Sequence, residues 1–126
     1  MRHRASHTVL AAILACVPLA GSPARVAAAP DPSSLRLPPG FSIEIWAAGV
    51  ANARSLARGD RGTLFVGSRT AGLVHAVRDE GGTRRVLTVA KGLDMPNGVA
   101  FHRGALYVGE LPRILRYDDI ESRLDS

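Results

Sequence analysis

The sequence predicts an all-β protein of the β-propeller class, on three observations. Leu64-Phe65-Val66-Gly67 returns as Leu106-Tyr107-Val108-Gly109, a period of 42 counted from residue 64 to residue 106. The flanking segments repeat with it, Ser55-Leu56-Ala57 answering to Gly98-Val99-Ala100 and Val74-His75-Ala76-Val77 to Ile114-Leu115-Arg116-Tyr117. Short alternating runs separated by glycine-bearing turns, at a period of ~40–50 residues, are the pattern of four-stranded blades set around a channel. At this period residues 41–126 hold about two blades, whereas closed propellers carry ~4–8. The expectation is therefore an incomplete propeller, the N-terminal part of a larger protein, with Arg123-Leu124-Asp125-Ser126 as an abrupt stop.

The elements follow in order. Residues 1–28 read as a secretory signal peptide: a basic start at Met1-Arg2-His3-Arg4, an apolar stretch from Val9 to Ala20 broken by Pro18, and small residues at Val26-Ala27-Ala28 for cleavage after Ala28. The apolar run is shorter than the ~20 residues that span a bilayer, so no stable membrane span is expected after cleavage, and the destination is periplasmic or secreted. Ile13-Leu14-Ala15-Cys16 is a poor lipoprotein match because of Leu14 and the short hydrophobic segment before it. Cys16, the only cysteine, lies inside the leader, which leaves no disulfide to consider. Residues 29–40 form a Pro/Ser linker.

Phe41, Ile43 and Ile45 alternate with Ser42, Glu44 and Trp46, the period of a strand with one buried face. In a closed ring such a strand completes the last blade from outside. The first blade then needs strands near 54–58, over Thr63–Gly67, over Leu73–Val77 and over Arg85–Ala90, with turns at Gly59-Asp60-Arg61-Gly62 and Asp79-Glu80-Gly81-Gly82. The second blade takes Asn97–Phe101, Ala105–Gly109 and Arg113–Tyr117, and its fourth strand is not visible. The loops entering each first strand, 49–54 and 93–97, share a rim with those between second and third strands, 68–72 and 110–112. Polar residues on a rigid channel rim converge on one small volume, so the site is expected there.

Net charge is +5, from 16 Lys and Arg against 11 Asp and Glu. The arginines are interspersed with acidic residues and form no run, which argues against nucleic acid. The rim candidates are Asn97, whose amide can both donate and accept, and Arg54 and Arg69, forked donors for a carboxylate. For Asn97 the plain alternative is a Pro-Asn-Gly turn; for the two arginines it is a structural salt bridge to a neighbouring blade. Asp94, Glu110 and Arg113 extend the cluster, or are solvated loop-end charges. His75 falls within a strand and His102 in a turn on the opposite rim, so both read as structural.

Taken together, Leu37-Pro38-Pro39-Gly40-Phe41, Asn52-Ala53-Arg54-Ser55, Val66-Gly67-Ser68-Arg69, Met95-Pro96-Asn97-Gly98-Val99-Ala100-Phe101 and Arg113-Ile114-Leu115-Arg116-Tyr117-Asp118-Asp119-Ile120 resemble the sorbosone dehydrogenase group, related to the soluble quinoprotein glucose dehydrogenases. The resemblance covers nearly all of 37–126. It implies a six-bladed exported propeller that binds pyrroloquinoline quinone (PQQ) at its rim, with calcium nearby in the full-length parent, and oxidises a sugar or aldehyde for a periplasmic electron acceptor. It also implies that the catalytic histidine belongs to the third blade, past residue 126, so no catalytic residue is assigned and these residues alone are expected to be inactive. Asn97, Arg54 and Arg69 are the cofactor-binding candidates, and no metal ligand is assigned.

Two other classes stay open. Pro96-Asn97-Gly98 before a strand and Leu106-Tyr107-Val108 in the next also resemble gluconolactonase-like propellers, in which a divalent metal activates water or polarises a lactone carbonyl. That chemistry needs an acidic ligand entering the first blade, and Ala51 to Ser55 contains no Asp or Glu. A non-enzymatic binding propeller would need neither cofactor nor metal.

Overall fold

The computed structural model describes residues 31–125; the leader over 1–28 and Cys16 lie outside the described residues. Strands β1 (Ala53–Arg58), β2 (Leu64–Ser68), β3 (Val74–Glu80) and β4 (Thr83–Ala90) form one antiparallel sheet in that order. A second antiparallel sheet follows from β5 (Gly98–His102), β6 (Ala105–Gly109) and β7 (Ile114–Tyr117). The only helical elements among the described residues are two single 3-10 turns, Pro32–Ser34 and Ile120–Ser122. No helix among them is long and apolar enough to cross a membrane.

The repeat is a repeat of register. Leu56 pairs with Val66 in the first sheet as Val99 pairs with Val108 in the second, and Gly67 pairs with Val74 as Gly109 pairs with Ile114. The two sheets nevertheless present opposite faces of this repeat to each other. The core cluster takes Phe65, Val74 and Ala76 from the first sheet and Leu106 and Val108 from the second, all fully buried. Phe65 is the counterpart of Tyr107, and Leu106 is the counterpart of Leu64. The interface is thus head to tail: the Phe65 face of one unit meets the Leu106 face of the next. Phe65 stacks on Phe101 across it, ring centroids 5.7 Å apart and nearly parallel.

Ile120 seals one end of this core from the 3-10 turn that carries it. Its neighbour Glu121, itself buried, accepts the Arg61 backbone N–H on both carboxylate oxygens at 3.2 and 3.1 Å. Gly59 is what admits it, since a Cβ there would stand 2.5 Å from the Glu121 Oε1. The turn at 59–62 is therefore a socket as well as a connection.

The strand expected over residues 41–46 does not form. Alternation makes a segment amphipathic, but a strand needs a neighbour to take its backbone N–H and C=O groups, and no strand among the described residues pairs with it. The segment lies instead over the outer face of the first sheet, where Ile43, Ile45 and Trp46 line a groove of about 370 Å³ with Leu56, Val66 and Val77. Phe41 stays 72% exposed.

Candidate functional site

The four loops assigned to one rim are joined there by hydrogen bonds. The Thr70 backbone N–H and hydroxyl both donate to Asn52 Oδ1, at 2.8 and 3.1 Å, which ties the loop entering β1 to the loop after β2. Asn52 reaches this position in the left-handed region, φ 56°, a conformation that asparagine tolerates better than most residues. Leu93 N–H donates to Gly72 C=O at 3.1 Å, and Leu111 N–H to Asp94 C=O at 3.0 Å, so each loop grips the next. Ser55 Oγ donates to the backbone carbonyl of Asn97, bridging the two sheets at their first strands.

Gly67 makes this convergence possible. A Cβ on it would lie 2.6 Å from the carbonyl oxygens of both Pro96 and Asn97. The 96–97 backbone thus rests directly on β2, with Pro96 buried and the Asn97 residue exposed at the rim. Ser68, 1% exposed, accepts from Leu73 N–H at 2.9 Å and shapes the loop that follows.

Arg54 and Arg69 flank the Ala53 to Ser68 pair of β1 and β2. The register of this pair slips between Ala53 and Leu56, and such a bulge re-aims the side chains that it carries. Both arginines are exposed, and neither makes the inter-blade salt bridge that was its structural alternative, since no ion pair among the described residues involves them. The structure places Asn97, Arg54 and Arg69 on adjoining segments of one rim, without a bond between their side chains.

Glu110 is not the solvated loop-end charge that its position suggests. Its side chain is 2% exposed; Oε2 accepts from Asp94 N–H at 2.9 Å, and Oε1 from Arg113 Nε. The Asp94 amide first, and then the Arg113 guanidinium, hold its carboxyl below the usual carboxylate range against the opposing effect of burial. Burial, with the Glu110 charge beside it, pushes the Tyr117 phenol up, while Arg113 opposes. The carboxylate is a peg that fixes the 93–97 loop to the 110–113 loop.

Because folding lowers the Glu110 pKa, its contribution to stability is complete above the unfolded value, ~4.3, and is lost as pH falls through that value toward the lower folded one. Glu110→Gln is therefore expected to unfold at lower urea than the parent at pH 7. The difference should shrink below pH 4, and a constant difference across pH would contradict the ionic role.

The histidines stand elsewhere. His75 is buried on the outer face of the first sheet, opposite Val66 and Thr88, and His102 ends β5 at the far turn. No group of three or more His, Cys, Asp or Glu among the described residues could hold a metal ion. A depression of about 770 Å³ opens at the far end, between Arg58, Arg78, Glu121 and Asp125. Arg78 there grips Asp125 with two bonds of 2.7 and 2.8 Å and reaches Glu80 at 3.0 Å. Volume alone therefore does not mark a site; Arg58 in that depression, like Arg54 and Arg69 at the rim, makes no ion pair among the described residues. Comparison of the chain with protein-family models, curated proteins and solved structures finds no match.

Proposed function

We propose that the two sheets are the first blades of a β-propeller whose rim binds an anionic quinone of the PQQ type, in an exported oxidoreductase acting on a sugar or aldehyde. The reading is carried by the rim itself: Arg54 and Arg69 lie at the ends of paired strands with no carboxylate partner among the described residues, beside Asn97 on a backbone pinned by Gly67 and Ser55. Two unpaired guanidinium groups and one amide on a fixed backbone suit a planar ligand that carries several carboxylates and carbonyl oxygens. Hydride acceptance from the substrate is the chemistry that such a quinone supplies when bound. The role of this chain's residues is to bind and orient: Arg54 and Arg69 as charge-assisted donors, Asn97 as a neutral donor to a ring oxygen. The base that would take the substrate proton is assigned to no residue of this chain, and the periplasmic electron acceptor and calcium belong to the same proposal.

Equilibrium dialysis of the full chain against PQQ tests it. A hydrogen bond to a charged group contributes ~1.5–3 kcal/mol, so Arg54→Gln and Arg69→Gln are each expected to weaken binding about tenfold or more. Asn97→Ala, which removes a neutral donor, is expected to cost less. Affinity unchanged in all three variants would contradict the reading.

A further inference from the structure

We propose that Asn97 is a self-modifying site: attack by the backbone nitrogen of Gly98 removes its carboxamide and turns a neutral group of the rim into a carboxylate beside Arg54 and Arg69. The chain has two asparagines, Asn52 and Asn97. They differ in the features that this chemistry needs. The nitrogen of the next residue must reach the asparagine Cγ, and a following glycine, having no Cβ, hinders that approach least. Asn52 is followed by Ala53, and its Oδ1 is engaged by both the backbone N–H and the hydroxyl of Thr70. Asn97 is exposed and is followed by Gly98, where even an added Cβ would find nothing within 4 Å. Ser55 holds the backbone carbonyl of Asn97 and leaves the carboxamide out of that bond.

The nucleophile is released by its place in the sheet. Gly98 opens β5, and its partner across the ladder is Gly109. Cross-strand side-chain pairs stabilise a sheet, and two glycines supply none, so this end of the strand opens locally. In the opened end the Gly98 nitrogen attacks Cγ of Asn97. The N–Cγ bond forms, the Cγ–Nδ2 bond breaks, and the Gly98 amide proton departs with the amino group as ammonia. The cyclic imide then takes up one water, the only co-reactant, and no electrons are transferred. Hydrolysis at Cγ gives aspartate. Hydrolysis at the former Asn97 backbone carbonyl gives isoaspartate, in which the main chain runs through Cβ and Cγ.

Both products place a negative charge on the rim. Aspartate keeps the backbone as it was and supplies Arg54 and Arg69 with the carboxylate that they lack among the described residues. Isoaspartate also lengthens the main chain by one carbon where there is no room, because the 96–97 carbonyl oxygens already lie 2.6 Å from the place of a Gly67 Cβ. The carbonyl that Ser55 grips becomes the free carboxylate. The rim therefore starts cationic and loses positive charge with age, in one direction only. Its effect on ligand binding rests on the quinone reading of the rim; the modification itself does not.

Mass spectrometry of the full chain, aged at mildly alkaline pH and then digested with trypsin, reads the outcome. Cleavage after Lys91 and Arg103 isolates residues 92–103, with Asn97 as their only asparagine, and cleavage after Arg36 and Arg54 isolates residues 37–54, with Asn52. The 92–103 peptide is expected to gain one mass unit and to split on chromatography into two products of equal mass, while 37–54 stays unchanged. Gly98→Val fits the open space at that position and crowds the attacking nitrogen, so it is expected to slow the gain severalfold. A 92–103 segment that keeps its amide while a synthetic peptide of the same residues loses it, or a gain at Asn52 as fast as at Asn97, would overturn the site. Equilibrium dialysis against PQQ reads the consequence separately. The aged parent is expected to bind about tenfold less tightly than the fresh chain, since like charges now face each other, and aged Gly98→Val as tightly as fresh. Equal affinity of fresh and aged parent would overturn the effect on binding, whereas a fresh chain with no affinity for PQQ would overturn the quinone reading and leave the mass gain standing.

Discussion

Phe65→Ala is expected to lower the stability of the chain by about 3–5 kcal/mol, the range for removing a fully buried aromatic side chain. Phe65 is inaccessible to solvent and stacks on Phe101, and it belongs to both the strand register and the inter-sheet core. No larger side chain among the described residues is fully buried. With total stabilities of only ~5–15 kcal/mol for folded domains, a substantial unfolded population is expected at ambient temperature, read as a collapse of the urea midpoint. Tyr107→Ala is the matched control. It alters the same repeat position in the second sheet, but on the uncovered face, where a cost of about 1 kcal/mol or less is expected. Equal costs at the two positions would mean that the sheets do not pack by the faces described.

Gly67→Ala is expected to cost about 1–3 kcal/mol, the range for forcing extra volume into a packed site, and to loosen the rim. The atoms that its methyl would meet, 2.6 Å away, are backbone carbonyl oxygens of Pro96 and Asn97. They have no torsion by which to step aside, so the 93–97 loop must lift from β2, carrying Asn97 with it and pulling its carbonyl from Ser55 Oγ. Gly109 occupies the equivalent position one repeat later, where an added Cβ would find only the Gly98 carbonyl at an ordinary 3.8 Å. Gly109→Ala should therefore be close to neutral in the chain as it stands. Urea denaturation of the two variants side by side checks this. If Gly67→Ala is as stable as Gly109→Ala, the close approach of the two sheets at the rim is wrong.

The contrast between these glycines shows where the sequence stops being informative. The repeated Leu-Phe-Val-Gly and Leu-Tyr-Val-Gly motifs located β2 and β6 to within a residue, because each is an alternating run bounded by turn signals and needs only its nearest neighbours to pair. They also ordered the loops correctly along the chain, which is why the loops joined at the rim are the ones expected there. What the motifs could not express is which face of each repeat is covered, since Phe65 and Tyr107 read alike while one is buried and the other half-exposed. The 41–46 segment misled for a related reason: alternation records an amphipathic surface, and pairing is a property of two segments. Glu110 and Glu121 were invisible as pegs because their burial comes from distant backbone N–H groups, at Asp94 and Arg61, that no local pattern announces. β3 and β4 run further than the apolar residues suggest, to Glu80 and Thr83, held by charged cross-strand partners such as Asp79 and Arg84.

The rim as a binding site for an anionic quinone is tested most directly by titrating the isotopically labelled full chain with PQQ and following each backbone amide by NMR. Shifts are expected only at residues 52–55, 67–72, 93–98 and 109–113, the four loops that hydrogen bonds draw together, and they should be lost at high salt as the guanidinium contacts are screened. Amides that do not move, or that move chiefly around 59–62 and 120–125 at the far end, would contradict it.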